Sequence, residues 1–189
     1  MLAQGVAALP LSLEAVKRAT RQDFGDDDVL LEAYLRAATG FVETAARRPL
    51  APRAVTFMAE ETGWRTWWLP VAPVISVTQV AVMDPAGAWA PLPEGSVRLL
   101  NGAEEPRLAL AEGVIWPERL PGSPIRISAE VGYADPEDYP AQLLQAITLV
   151  VRDWYLAGLE PGDGDLPALQ FGAKLLINQL RYRRPQVCA

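Results

Sequence analysis

Residues 139–158 read YPAQLLQAITLVVRDWYLAG, and this stretch decides the fold. Leu143, Ile147, Val150, Val151 and Trp154 recur at three- and four-residue intervals, which puts them on one side of an α-helix, while Gln142, Gln145, Arg152 and Asp153 mostly avoid that side. Pro140 suits the first helical position, where its missing N–H would have no partner, and Gly158 suits the left-handed residue just past the end. Burying such a stripe contributes roughly 1.5–3 kcal/mol per large side chain, against roughly 1–2 kcal/mol per residue for ordering the backbone. The helix therefore requires partner helices.

Those partners are legible upstream and downstream. Ser12 has the character of an N-cap for a short helix carrying Glu14 in its first turn and ending near 23–25. Asp26, Asp27 and Asp28 then favour the positive end of a second helix running to about Arg47, and are expected to cap it rather than bind metal. Leu30, Tyr34 and Phe41 hold the helical period in it, and Arg47, Arg48 and Pro49 close it. Gly40 lies inside, at a cost of about 1 kcal/mol relative to alanine, so another helix is expected to pass close by. A last helix, opened by Pro167, has Phe171, Leu175, Leu176 and Leu180 as its stripe and ends before Pro185. Bundle-core residues are thus expected at Leu30, Tyr34, Phe41, Leu143, Ile147, Val150, Val151, Trp154, Phe171 and Leu175.

Between the helix pairs the texture changes. From Arg53 onward β-branched and aromatic residues replace the helical period, and proline and glycine recur as turn signals. Strands are predicted at 54–59, 66–69, 74–83, 96–100, 107–110 and 125–131, where Ile125 to Ser128 alternates cleanly. The expected fold is α+β: a four-helix bundle of two N-terminal and two C-terminal helices with an inserted small antiparallel β module. Its parts are a flexible arm at 1–11, the helical domain at 12–52 and 133–184, the β module at 53–132, and a tail at 185–189.

Composition narrows the chemistry. The 189 residues are half apolar, enough for a sizeable core, and the net charge of -6 with a pI of about 4.8 disfavours a surface that grips nucleic acid through clustered cations. No apolar run approaches the ~20 residues that span a bilayer, and residues 1–10 lack a basic region followed by a long apolar one, so the protein is expected to stay in the cytosol. Histidine is absent, which removes the commonest general base, every Ser-His-Asp or Cys-His arrangement and the commonest zinc ligand. Asp163 and Asp165 lack the glycine turn and distal glutamate of a calcium loop, and the single cysteine, Cys188, reads as an incidental thiol. No catalytic residue, cofactor or metal ligand is expected.

Two constellations remain. Trp64, Trp67, Trp68, Trp89 and Trp116 all fall in the β part; they either fill a core or a subunit contact, or form a stacking platform for sugar rings or bases. Trp67 and Trp68, as neighbours on a strand, point to opposite faces. The run Arg181, Tyr182, Arg183, Arg184 is either a solvated helix end or, with Pro185, Val187 and the rest of the tail, a docking segment that becomes ordered in an acidic or carbonyl-rich groove of a partner.

Several stretches together resemble the bacteriophage head-to-tail connector (adaptor) family, which serves tailed phages and phage-like gene transfer agents. They are Leu11-Ser12-Leu13-Glu14-Ala15-Val16-Lys17; Asp26-Asp27-Asp28-Val29-Leu30-Leu31 leading to Ala46-Arg47-Arg48-Pro49-Leu50; Leu69-Pro70-Val71-Ala72-Pro73-Val74-Ile75-Ser76-Val77; and Val131-Gly132-Tyr133 leading through Tyr139-Pro140 to Trp154-Tyr155. Order and spacing carry the likeness, over most of residues 11–158. The resemblance implies a structural, non-enzymatic virion protein. It would form a ring homo-oligomer of twelve copies at the particle neck, bind the portal protein above and a neck, stopper or tail component below, and let DNA pass through its channel without specific binding and without contact to a membrane. It would be assembled in the bacterial cytoplasm. An aromatic-rich carbohydrate-binding or adhesion module of a tail is the alternative reading of the tryptophans.

Overall fold

The computed structural model describes residues 2–4, 8–21, 25–60, 64–101, 105–158 and 171–185. The described elements run β1 (Leu2–Gln4), α1 (Leu13–Thr20), α2 (Asp28–Ala46), β2 (Arg53–Ala59), β3 (Thr66–Trp68), β4 (Val74–Met83), β5 (Trp89–Pro91), β6 (Val97–Leu100), β7 (Arg107–Leu110), β8 (Ile125–Val131), a short 3-10 turn (Pro136–Asp138), α3 (Ala141–Leu156) and α4 (Phe171–Leu180). The protein is α+β, with four helices and antiparallel sheets among the described residues. The chain divides into two compact units: a sheet unit of residues 1–7, 52–134 and 183–189, and a helical unit of residues 8–51 and 135–182.

In the sheet unit, five strands run in the order β1-β2-β8-β4-β5 and three more in the order β3-β7-β6, every neighbouring pair antiparallel. β8 is central because its alternation is complete: Ile125, Ile127, Ala129 and Val131 are buried and the residues between them are half-buried. Opposite it, Phe57 pairs Ile127 and Val55 pairs Ala129, so both strands send apolar side chains to the same face. These residues share one core with Trp67 and Leu108 of the smaller sheet. β4 slips register against β8 twice, after Val74 and after Val77, each slip adding one unpaired residue to β4.

Two short strands lie outside the predicted set. Leu2–Gln4, expected as part of a flexible arm, pairs with Thr56, Val55 and Ala54 along the edge of β2. Trp89–Pro91 returns along β4 after the turn at Asp84, where Asp84 Oδ1 accepts from Ala88 N at 2.8 Å and Gly87 takes φ +85°.

In the helical unit α1 packs on α2 and α3, α2 on α3 and α4, and α3 on α4. Ser12 caps α1, its Oγ accepting from Ala15 N at 3.2 Å, and Arg21 ends it in the left-handed region, a few residues before the predicted end. The Asp26–28 expectation needs correction. Asp27 stands at the start of α2 without a side-chain cap bond; its Oδ2 instead accepts from Tyr155 Oη at 2.6 Å, and Asp28 pairs with Lys17 at 2.8 Å. α3 starts at Ala141, so Pro140 stands at the N-cap with ψ 118° rather than at the first helical position expected for it, while Gly158 just beyond the other end takes φ +64°, as its sequence signal requires.

Leu143, Ile147, Val150, Val151 and Trp154 are all buried, and Tyr34 and Phe41 meet Trp154 edge-on at 6.3 and 6.4 Å between centroids. Phe41 is half-buried, as is Leu30; its neighbour Leu31 takes the fully buried place on α2. The larger correction is on α4, which buries Ala173 and Ile177 and leaves Phe171 and Leu175 80% and 46% exposed. Two residues correspond to about 200° of helix, so choosing Ala173 and Ile177 for the inside turns Phe171 and Leu175 outward. A Cβ on Gly172 would lie 3.7 Å from Leu149 Cδ1, so the small side of α4 is the one that seats against α3. Gly40 also departs from expectation: nothing within 4 Å would meet a Cβ there, and the residue is exposed.

Candidate functional site

The segment after α4 is held down rather than free. The last turn of a helix leaves carbonyls without partners, and the ends of α2 and α4 each meet this need with a donor from far along the chain. Tyr182 N donates to Ala46 O at 2.8 Å, and the Arg48 guanidinium, through Nε, donates to Leu180 O at 2.6 Å. Glu43, also buried, completes the corner by accepting from Leu50 N through Oε1 at 2.6 Å. Tyr182 itself is 4% exposed.

In the sheet unit the Arg184 guanidinium sits 4.9 Å from the centroid of Trp67, within reach of a cation–π attraction. The described part of the expected docking segment, 181–185, is therefore held by contacts within this chain, at Tyr182 and Arg184. Arg181 and Arg183 are exposed, Arg184 and Pro185 are half-buried, and the Tyr182 side chain does not face outward. Val187 and Cys188 lie outside the described residues, as do Asp163 and Asp165.

The five tryptophans divide between interior and surface. Trp64 and Trp67 are buried and stacked at 6.3 Å, and Trp116 meets Trp64 edge-on at 4.9 Å while its Nε1 donates to Trp64 O at 3.2 Å. Trp64 and Trp67 belong to the core of the sheet unit, and the half-buried Trp116 packs against it. Trp68 and Trp89 are half-exposed, each beside an arginine: Arg107 at 5.9 Å and Arg126 at 4.5 Å. A flat platform built from all five does not exist, because Trp64 and Trp67 have no face open to a sugar.

Three surface grooves do not bring complementary chemistry together. A groove of about 480 Å³ lies between Leu92–Ser96 and Val114–Pro117 with Glu94 as its ionisable group. A second, of about 250 Å³, sits between Ala45 and α4 with Lys174 and Arg181; a third, of about 230 Å³, crosses β2, β8 and β4 with Glu130. Each lining holds charge of one sign only, so none pairs a proton donor with an acceptor. The groups with displaced titration lie elsewhere. The hydrogen bond to Asp27 pushes the Tyr155 hydroxyl up, desolvation pushes the Asp153 carboxyl up, and desolvation with the charges of Glu43 and Asp135 raises Tyr139. Among the described residues there is no group of three or more metal-ligating side chains, and no helix is long and apolar enough to cross a membrane.

The exposed large apolar residues are the remaining surface feature. Val29, Leu156, Phe171 and Leu175 lie on the helical unit, and Met58, Leu100, Ile115 and Leu120 on the sheet unit. Sequence periodicity could not have found Phe171 and Leu175 in this role, since they share the helical spacing of a core stripe.

No known family profile and no curated protein matches the chain. Solved structures do. The chain is similar to one in the neck of an empty gene transfer agent particle computed with C6 symmetry, at 28% identity and TM-score 0.75. It is also similar to a chain in the virion of a native gene transfer agent particle (29%, 0.73) and to one in the neck of the native particle computed with C12 symmetry (29%, 0.67). Each likeness covers 98% of this chain and 98% of the other. Its structural neighbours are thus chains from the neck and virion of gene transfer agent particles, which supports a structural neck component.

Proposed function

We propose that this chain is the head-to-tail adaptor of a phage-like particle: a non-enzymatic protein whose copies form a ring under the portal, extend the DNA channel and receive the next component below. The observation that carries this reading is end-to-end similarity, 98% of both chains, to a protein chain in a gene transfer agent neck. A neighbour in a neck computed with C12 symmetry supports a ring of twelve. A net charge of -6 suits a conduit, because like charge keeps DNA from adhering to the wall.

The segment around the end of α4 is the proposed portal contact. Arg181 and Arg183 present exposed cations there, and Tyr182 and Arg184 anchor the segment. The work of the protein on this reading is shape and contact, and surface grooves whose charges are of one sign fit that role.

Complementation tests it. Particles produced without this chain should accumulate as tailless heads, and purified protein added to those heads should restore tail joining. Normal tailed particles from cells lacking the chain would refute the proposal.

A further inference from the structure

We infer that the groove between the end of α2 and α4 receives a carboxylate side chain from an acidic segment of the portal protein; the inference rests on the portal-contact reading above and names the chemistry that the contact takes. Lys174, Asn178 and Arg181 follow one another at four- and three-residue steps, so they stand on one side of α4 and its continuation, and all three are exposed. With Ala45 and the buried Ile177 they line about 250 Å³ of open space. The groove thus offers an ammonium, a carboxamide and a guanidinium beside an apolar surface.

Its charge runs against that of the chain. The sequence carries 23 acidic residues and 17 basic ones, yet residues 171–185 hold four cations and no acid. Lys174 and Arg181 have no ion-pair partner among the described residues, whereas Lys17 and Arg36 are paired, with Asp28 and Glu32.

Arg181 supplies the independent argument, because it is fixed in place without being used. The carbonyl before it, Leu180 O, accepts from Arg48 Nε at 2.6 Å, and the N–H after it, Tyr182 N, donates to Ala46 O at 2.8 Å. Arg48 and Tyr182 are themselves 8% and 4% exposed. A cation at a frayed helix end would lose backbone freedom on binding; one whose flanking peptide groups are both tied to the end of α2 has already lost it. A preorganised, unpaired guanidinium takes a carboxylate through two parallel hydrogen bonds, and the Ile177 and Ala45 side of the groove suits the short aliphatic stem that carries one. Nucleic acid suits the place less well, since phosphate backbones are gripped by extended basic stripes and the net charge of -6 opposes them.

Carbodiimide coupling, which joins an amine directly to a carboxylate in contact with it, tests the assignment on the full chain bound to portal-bearing heads. Peptide mapping by mass spectrometry should find Lys174 linked to an aspartate or glutamate of the portal protein. Lys174→Gln should fold normally and weaken capture by the heads about three-fold, within the range of one exposed ion pair, and Lys174→Glu should weaken it further. Capture of the wild type should fall as salt rises and should be indifferent to nuclease. Bound chain with no Lys174–portal link, links from Lys174 only to another copy of this chain, unchanged capture of Lys174→Glu, or capture abolished by nuclease would each overturn the groove assignment while leaving the neck reading intact. Failure of the wild-type chain to bind heads at all overturns both.

Discussion

The hydroxyl of Tyr155, near the end of α3, donates a 2.6 Å hydrogen bond to Asp27 Oδ2, at the start of α2, across 128 residues of sequence. The bond explains why Asp27 gives up a capping role: a carboxylate that accepts from a phenol keeps its charge near the helix start while tying two helices together.

Tyr155→Phe should lower the melting temperature at neutral pH, as followed by circular dichroism. The Tyr155 hydroxyl titrates above its ordinary value of 10.0, chiefly because of this bond. A raised pKa means the contribution is complete below pH 10 and is lost as pH rises through the folded-state value. The difference between wild type and Tyr155→Phe should therefore close in strongly alkaline buffer and persist at pH 7.

Asp153→Asn should be neutral or stabilising at pH 7. Asp153 Oδ2 is buried without a hydrogen-bond partner, and desolvation raises its carboxyl above 3.8. The charged form is thus disfavoured by the fold, and protonation relieves it. Wild type should gain on the variant as pH falls through the carboxylate range, which urea unfolding at several pH values would reveal.

Gly40→Ala should stabilise the isolated protomer by about 1 kcal/mol, since the new methyl meets open space on an exposed helical face. For a chain of this size that corresponds to a rise of about 2–4 °C in melting temperature. A fall would mean that the site is crowded within the protomer.

Ile147 is fully buried at the centre of α3. Ile147→Ala should cost about 2–5 kcal/mol in urea unfolding, and Ile147→Asp should abolish soluble expression, because an unpaired charge would enter the helical core. Soluble, folded Ile147→Asp protein would show that this stripe is not the interior.

Much of this architecture is legible in the sequence. Gly158 marks the end of α3, Pro140 marks its start to within one residue, and the alternation of Ile125 and Ile127 marks β8, because local chemistry alone sets those features. What escaped depended on distant partners. Leu30 and Leu31 are equal candidates for a buried position until α2 rotates against α3, and a rotation of one residue exchanges them. α4 offers two apolar sides, and only the fit of Ala173 and Gly172 against its neighbours selects one. Trp89–Pro91 is too short to carry a period of its own, and the partner that draws Asp27 from its cap lies on another helix. The proposed partner surface was half legible: Arg181 and Arg183 face outward as a docking run would, but nothing local marks Tyr182 as the donor that satisfies Ala46.

Arg181→Glu with Arg183→Glu should leave the fold intact, since both side chains are exposed, and should weaken capture of the protein by portal-bearing heads in a pelleting assay. Removing residues from Tyr182 onward is a different experiment, because it also strips the hydrogen bond to Ala46 and the guanidinium from Trp67, and should lower thermal stability as well.

Cryo-electron microscopy of the neck of purified particles made with this chain tests the central claim most directly. The account predicts twelve copies of this α+β fold in a closed ring against the portal. A neck filled by other proteins, with this chain missing from the finished particle, would contradict it.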